Sequence, residues 1–195
     1  MAPGDPQIAT ATLASPDRSG SALRRLFVAL NVLGGIAVLG SYAHGILTHP
    51  DPGAAWGGVP EGLRGFYGVS MLCAAAGYFL MTGYVLYGLD TARTQIGPFG
   101  WGLFPLLYAL ILFPSALWMP LTFAYLAAPS PGLWLAVRGV LFLVGVGSVG
   151  VLLALLAVRP GASRFAWALA VAGAAAFVLQ TAVLDALVWP AYFPV

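Results

Sequence analysis

Arg138 and Asp185 are the residues whose types and places most clearly point to chemistry. Each lies inside a long apolar run, and a charge at mid-helix in a bilayer costs about 2.5–3.5 kcal/mol on insertion scales. The turn between their two runs centres near 161–162. Arg138 precedes it by 23 or 24 residues and Asp185 follows it by the same interval. An antiparallel hairpin would put both at one depth, and the expectation is an Arg138–Asp185 ion pair. Such a pair either fastens two helices or forms one wall of a polar site. Arg138 could instead snorkel to the headgroups.

Other polar residues reach a similar level. His44 is about one turn from the end of the first run. Arg64, Tyr67 and Ser70 open the second, and Trp118, Thr122 and Tyr125 lie in the far half of the third. Gln180 is one or two turns deeper than Asp185. They either converge on one site or point separately to the interface. The other half holds fewer: Asn31, Tyr84 and Tyr87, with Asp90 at its edge.

His44 and His49 are five apart, whereas two ligands on one helical face want three or four. No cysteine or second acid completes a ligand set, so no metal site is expected. His49, before Pro50, is expected to be solvated. Cys73, the one cysteine, excludes an intrachain disulfide and reads as a small apolar filler. His44 and Asp185 would be the acid/base candidates of a membrane enzyme, provided they lie within hydrogen-bond reach. No H-E-x-x-H, G-x-S-x-G or P-loop is present. Gly145-Val-Gly147-Ser-Val-Gly150 matches a dinucleotide fingerprint, but within an apolar run and with no preceding strand. It reads better as close helix packing, with Ala166, Ala170 and Ala174 as the matching stripe on the fifth run.

The elements that must position these residues are set by composition. Of 195 residues, 61% are hydrophobic and 7% charged. A soluble domain carries about 25% charged residues. This chain cannot hide its apolar surface from water as a monomer. The net charge of +2 is too small and scattered for nucleic acid. Five apolar runs, about 25–48, 63–89, 98–127, 132–158 and 164–191, each exceed the ~20 residues needed to cross a bilayer. The expected fold is all-α: a polytopic membrane protein with a bundle of five transmembrane helices, residues 23–195. A disordered N-terminal tail, residues 1–22, precedes it. Arg24-Arg25 and the following apolar run resemble a signal peptide, but the segment reads as a retained first helix.

Arg18, Arg24, Arg25, Arg93, Arg159 and Arg164 fall on one side, and Arg64 and Arg138 on the other. The bias predicts an N-in, C-out orientation in a bacterial inner (cytoplasmic) membrane. Trp56, Trp134, Trp189 and Tyr192 would form the outer aromatic belt, and Trp101 and Trp167 the inner one. The third run carries Pro105, Pro114 and Pro120. Pro114 and Pro120 free the carbonyls of Leu110 and Ala116. Tyr108, Ser115 and Thr122 repeat every seven residues beside Trp118. A kinked helix with a polar stripe would suit a pocket wall, or be an ordinary packing kink.

The stretch Leu117-Trp118-Met119-Pro120-Leu121-Thr122-Phe123 resembles the third helix of the tryptophan-rich sensory protein (translocator protein) family, over seven residues. That family's tryptophan- and proline-rich segment after the first helix has no counterpart in residues 50–62. The resemblance implies a ligand sensor or transporter.

The function expected from the residues is non-enzymatic. One form is binding of a small hydrophobic or amphipathic ligand in an outer-half pocket formed by His44, Arg64, Trp118, Thr122, Arg138, Gln180 and Asp185. Arg64 or Arg138 would meet an anionic or polar head. The other form is an accessory subunit of a membrane complex, with other subunits or further copies as partners. The alternative class is an enzyme acting on lipid-like substrates. No cofactor is specified.

Overall fold

The structure, a computed structural model, describes residues 16–161 and 163–193. Five long helices account for most of them, and all five are long and apolar enough to cross a membrane. Helix α1 spans Pro16–Thr48, α2 Glu61–Gly83, α3 Leu103–Ala127, α4 Pro131–Ala157 and α5 Arg164–Val178. Two of them change winding before they end. After α2, Tyr84–Gly88 is π-helical. After α5, Leu179–Val188 is π-helical and Trp189–Tyr192 is a 3-10 turn. Residues 1–15 of the expected tail lie outside the described residues.

Local chemistry sets the ends. Ser130 caps α4 by accepting from the Leu133 N–H, and Pro131 fills the first turn, where no N–H is needed. Ser163 caps α5 through the Ala166 N–H. The third apolar run becomes helical at Leu103, not at 98. Residues ahead of it form a small hairpin in which Gln95 pairs with Gly100 and Ile96 with Phe99. Gly97 takes φ 55° at its turn, a conformation that glycine adopts without a Cβ penalty.

The helices pack in the order α1, α3, α4, α5, α2, with α1 at the margin. Apolar side chains face both ways. The core gathers Phe27, Met81, Trp101, Phe104, Tyr108, Ile111, Val151 and Leu155. Leu33, Leu39, Leu47, Leu72, Phe79, Leu135 and Phe165 stand exposed around the periphery. That inversion of a soluble surface is what the composition demands.

Small residues permit the close crossings, only in part where their spacing suggests. Gly145 does face α5, with Ala182 and Ala186 opposite. Gly147 and Gly150 face Ile111 and Leu107 of α3 instead. The tightest crossing joins α2 to α5, where a Cβ on Gly77 would overlap the Gly173 carbonyl. Ala170 and Ala174 are buried in the core that α2 and α4 share.

Polar fasteners link the helices at mid-height. Tyr78 donates to Asn31 Oδ1 at 2.6 Å, joining α2 to α1, and the Thr82 and Tyr108 hydroxyls share a bond at 3.0 Å between α2 and α3. Thr181 donates to Ser148 Oγ at 2.8 Å between α5 and α4. This neutral bond, not an Arg138–Asp185 pair, fastens the last two helices.

The segment between α1 and α2 folds across one end of the bundle. A 3-10 turn at Pro52–Trp56 leads to Gly57, whose φ of 56° reverses the chain over the Phe193 ring. Gly58 donates its N–H to the Tyr192 carbonyl at 2.8 Å, and Trp189 Nε1 donates to Ala55 O at 3.0 Å. The loop and the C-terminal turn are therefore one packed cap.

Candidate functional site

Beneath this cap lies a polar cluster built mainly on the π-helical end of the last helix. In an α-helix residues five apart diverge; i→i+5 winding brings them nearly into line. Gln180 and Asp185 are five apart, and Gln180 Nε2 donates to Asp185 Oδ1 at 2.7 Å. Tyr67 of α2 donates its hydroxyl to the Leu184 carbonyl within the same segment, at 3.0 Å. Gln180 and Tyr67 are almost fully buried.

Helix α3 supplies the facing wall. Trp118 and Thr122 are one turn apart on it, so they share a face. Trp118 meets the Tyr42 ring of α1 edge-on at 5.6 Å and Trp189 at 5.8 Å. Tyr42 and Tyr67 lie near enough to Asp185 to feel its charge. Among the described residues, three buried polar atoms have no hydrogen-bond partner: Trp118 Nε1, Thr122 Oγ1 and Gln180 Oε1. A buried polar group without a partner costs roughly 1–3 kcal/mol. One of the three, Gln180 Oε1, belongs to the side chain that holds the Asp185 carboxylate; the donor of Trp118 and the hydroxyl of Thr122 stand on α3.

The cap above the cluster is aromatic. Trp134 stacks on Phe193 with centroids 5.4 Å apart, Trp189 meets Phe193 at 4.5 Å, and Tyr125 meets Trp134 at 5.3 Å. Trp189 and Phe193 are buried. Trp134 and Trp189, expected at the outer boundary, pack on each other with ring centroids 6.0 Å apart.

Of the seven expected site residues, Gln180 and Asp185 are in direct contact, and Trp118 and Thr122 stand on α3, where Trp118 meets Tyr42 and Trp189. The other three do not join them. Arg138 is exposed on α4 with Leu135 and Phe142, while its neighbours Val137 and Leu141 face inward. It lines an open groove of about 470 Å³ with Tyr125, Pro131 and Trp134. The expected Arg138–Asp185 ion pair is therefore not formed. The Ser148–Thr181 bond and the Gly145–Ala182 contact set the register. They put Asp185 level with about Val144, roughly 9 Å along the axis from Arg138. Counting from the turn assumed α-helical rise in both helices and a symmetric connection. The offset is already present at the Thr181–Ser148 contact, so it comes from an unequal connection at the turn, while the π winding turns Asp185 to a new face.

Arg64 is half-buried at the start of α2. Its Nε donates to Val59 O at 3.1 Å, and its guanidinium lies 5.8 Å from the Trp56 ring centroid. It braces the cap rather than facing the cluster. His44 is exposed, and among the described residues no hydrogen bond joins it to Asp185. His49, expected in solvent, is half-buried and stacked on Phe123 at 3.7 Å, with Nδ1 3.0 Å from Gly45 O. Gly45 allows this by letting α1 approach Met119 and Phe123.

Sequence reasoning missed Tyr42 as a member of the cluster and Tyr67 as its brace. Tyr67 carries a signal in the sequence, its place near Arg64 at the same depth. Tyr42 had none, since it reads as part of an apolar run. Among the described residues, no group of three or more His, Cys, Asp or Glu could hold a metal ion. Comparisons with protein-family models, curated proteins and solved structures find no match.

Proposed function

We propose that the chain is an integral membrane protein, N-in and C-out in a bacterial inner membrane, that binds a small amphipathic ligand without chemical conversion. The observation that carries this reading is the buried Gln180–Asp185 pair with Gln180 Oε1 unpartnered, together with two further unpartnered polar atoms, Trp118 Nε1 and Thr122 Oγ1, on α3. A ligand bearing a donor for Gln180 Oε1 and, elsewhere, an acceptor for Trp118 Nε1 would satisfy both atoms. The surrounding aromatic rings would hold an apolar body. An anionic head, expected while Arg138 was counted in the site, loses its support with Arg138 and Arg64 turned elsewhere.

Native mass spectrometry of gently solubilised protein tests the reading. The expected result is a retained small molecule that is lost in a Thr122→Val, Gln180→Leu double variant. A bare chain in wild-type protein counts against it. A second reading, an accessory subunit, is favoured by α1, whose most apolar window is only 11% buried. A co-purifying protein chain in place of a small mass would support that one.

A further inference from the structure

We infer that the head group taken by the Asp185 cluster is a protonated amine. This rests on the ligand-binding reading above and adds a chemical class to it.

The first argument is charge. Among the described residues the one ion pair is Arg93–Asp90, at the opposite end of the bundle. Asp185 has no basic partner. Arg138 is exposed on another face, and Arg64 is committed to Val59 O and the Trp56 ring. A carboxylate inside a helical bundle with no counter-charge is an expensive arrangement that an added cation relieves.

The second argument is donor and acceptor balance. Gln180 spends an N–H on Asp185 Oδ1, so what the pair still offers is acceptors: the second carboxylate oxygen and Gln180 Oε1. An ammonium is a donor with no acceptor, which matches that side. A hydroxyl would fill one bond and leave the charge unpaired. A carboxylate head would meet Asp185 as a like charge.

The third argument is the wall. Tyr42 and Trp118 pack edge to face beside the acid, and Tyr67 is pinned there by its bond to Leu184 O. Aromatic faces attract cations, organic ones above all when the site is shielded from water. Trp118 Nε1 and Thr122 Oγ1, across the cluster on α3, leave a place for one acceptor on the ligand body.

The test compares three probes with one aryl body: phenethylammonium, 2-phenylethanol and phenylacetate. Each is titrated into purified protein in detergent, reading the thermal midpoint and tryptophan fluorescence. Saturable binding of the amine is expected, with the alcohol about tenfold weaker, as for loss of a charge-assisted hydrogen bond. Phenylacetate should not bind. Asp185→Asn, which keeps the shape and removes the charge, should weaken the amine by a similar factor and so narrow or abolish its advantage over the alcohol. Equal binding of amine and alcohol, or an undiminished amine in Asp185→Asn, overturns the amine and leaves the ligand reading standing. A saturable response to sodium chloride that is lost in Asp185→Asn and displaces the amine overturns it in favour of an inorganic cation. If none of the probes binds and native mass spectrometry shows a bare chain, both readings fall. The comparison of head groups in wild-type protein decides the question even where Asp185→Asn does not fold.

Discussion

Thr122 is fully buried, and its hydroxyl has no partner. That makes the sign of its replacement informative. Thr122→Val keeps the shape and removes a polar atom whose desolvation nothing offsets. Protein stripped of ligand should therefore gain about 1 kcal/mol, read as a higher unfolding midpoint in mixed micelles. A destabilised Thr122→Val would mean that the hydroxyl is satisfied, and the open site would lose one of its three marks. Tyr67→Phe should go the other way. Its hydroxyl donates to Leu184 O inside the π segment, and hydrogen bonds between membrane helices are worth about 0.6–1.7 kcal/mol. The loss should appear as faster amide exchange in 179–188 before any change in the rest of the bundle. Uniform exchange across α5 would show that Tyr67 does not hold the π winding.

At the scale of helices, the crossing of α2 on α5 depends on two absent side chains. A methyl at Gly77 overlaps the Gly173 carbonyl, and one at Gly173 comes within 2.8 Å of Gly77 Cα. Gly77→Ala should cost about 1–3 kcal/mol as overpacking. Gly68→Ala, on the same helix with nothing within 4 Å, should be neutral or gain up to about 1 kcal/mol from helix propensity. Equal effects at both positions, measured by unfolding in micelles, would refute the crossing. This level also separates what was legible in the sequence from what was not. Helix number and span follow from apolar length, and the nearness of Gln180 to Asp185 follows from their depth along one helix. Facing does not follow. Arg138 and Asp185 were matched by counting from a turn, which yields a level only if both helices are α-helical throughout. The switch to π winding at Leu179 leaves no mark in hydropathy, yet it aligns Gln180 with Asp185. Gly77 follows Ala74–Ala76 and Gly173 lies beside the Ala170–Ala174 stripe, but small residues are so common in both helices that spacing does not single out this pair.

For the molecule as a whole, the two ends differ in charge and in construction. The end reached by α1's start, the 89–102 hairpin and the α4–α5 turn carries Arg24, Arg25, Arg93, Arg159 and Arg164. It also holds an open groove of about 680 Å³ with Arg93 and Arg159 on its wall. The capped end carries Arg64 and Arg138, one turned to Trp56 and one to the periphery. Retained arginines near helix ends govern which side stays in the cytoplasm, so the capped end should face outward. The ligand cluster would then open towards that side or laterally, with α1 as the thinnest wall. Single cysteines test this once exposed Cys73 is replaced by Ser. Ala128→Cys, exposed at the capped end, should react with a membrane-impermeant maleimide on intact cells. Ala92→Cys, exposed at the arginine end, should react only after the cells are opened. The reverse pattern would overturn the N-in orientation. It would also move the Asp185 cluster to the cytoplasmic half, where a head group would have to arrive from inside.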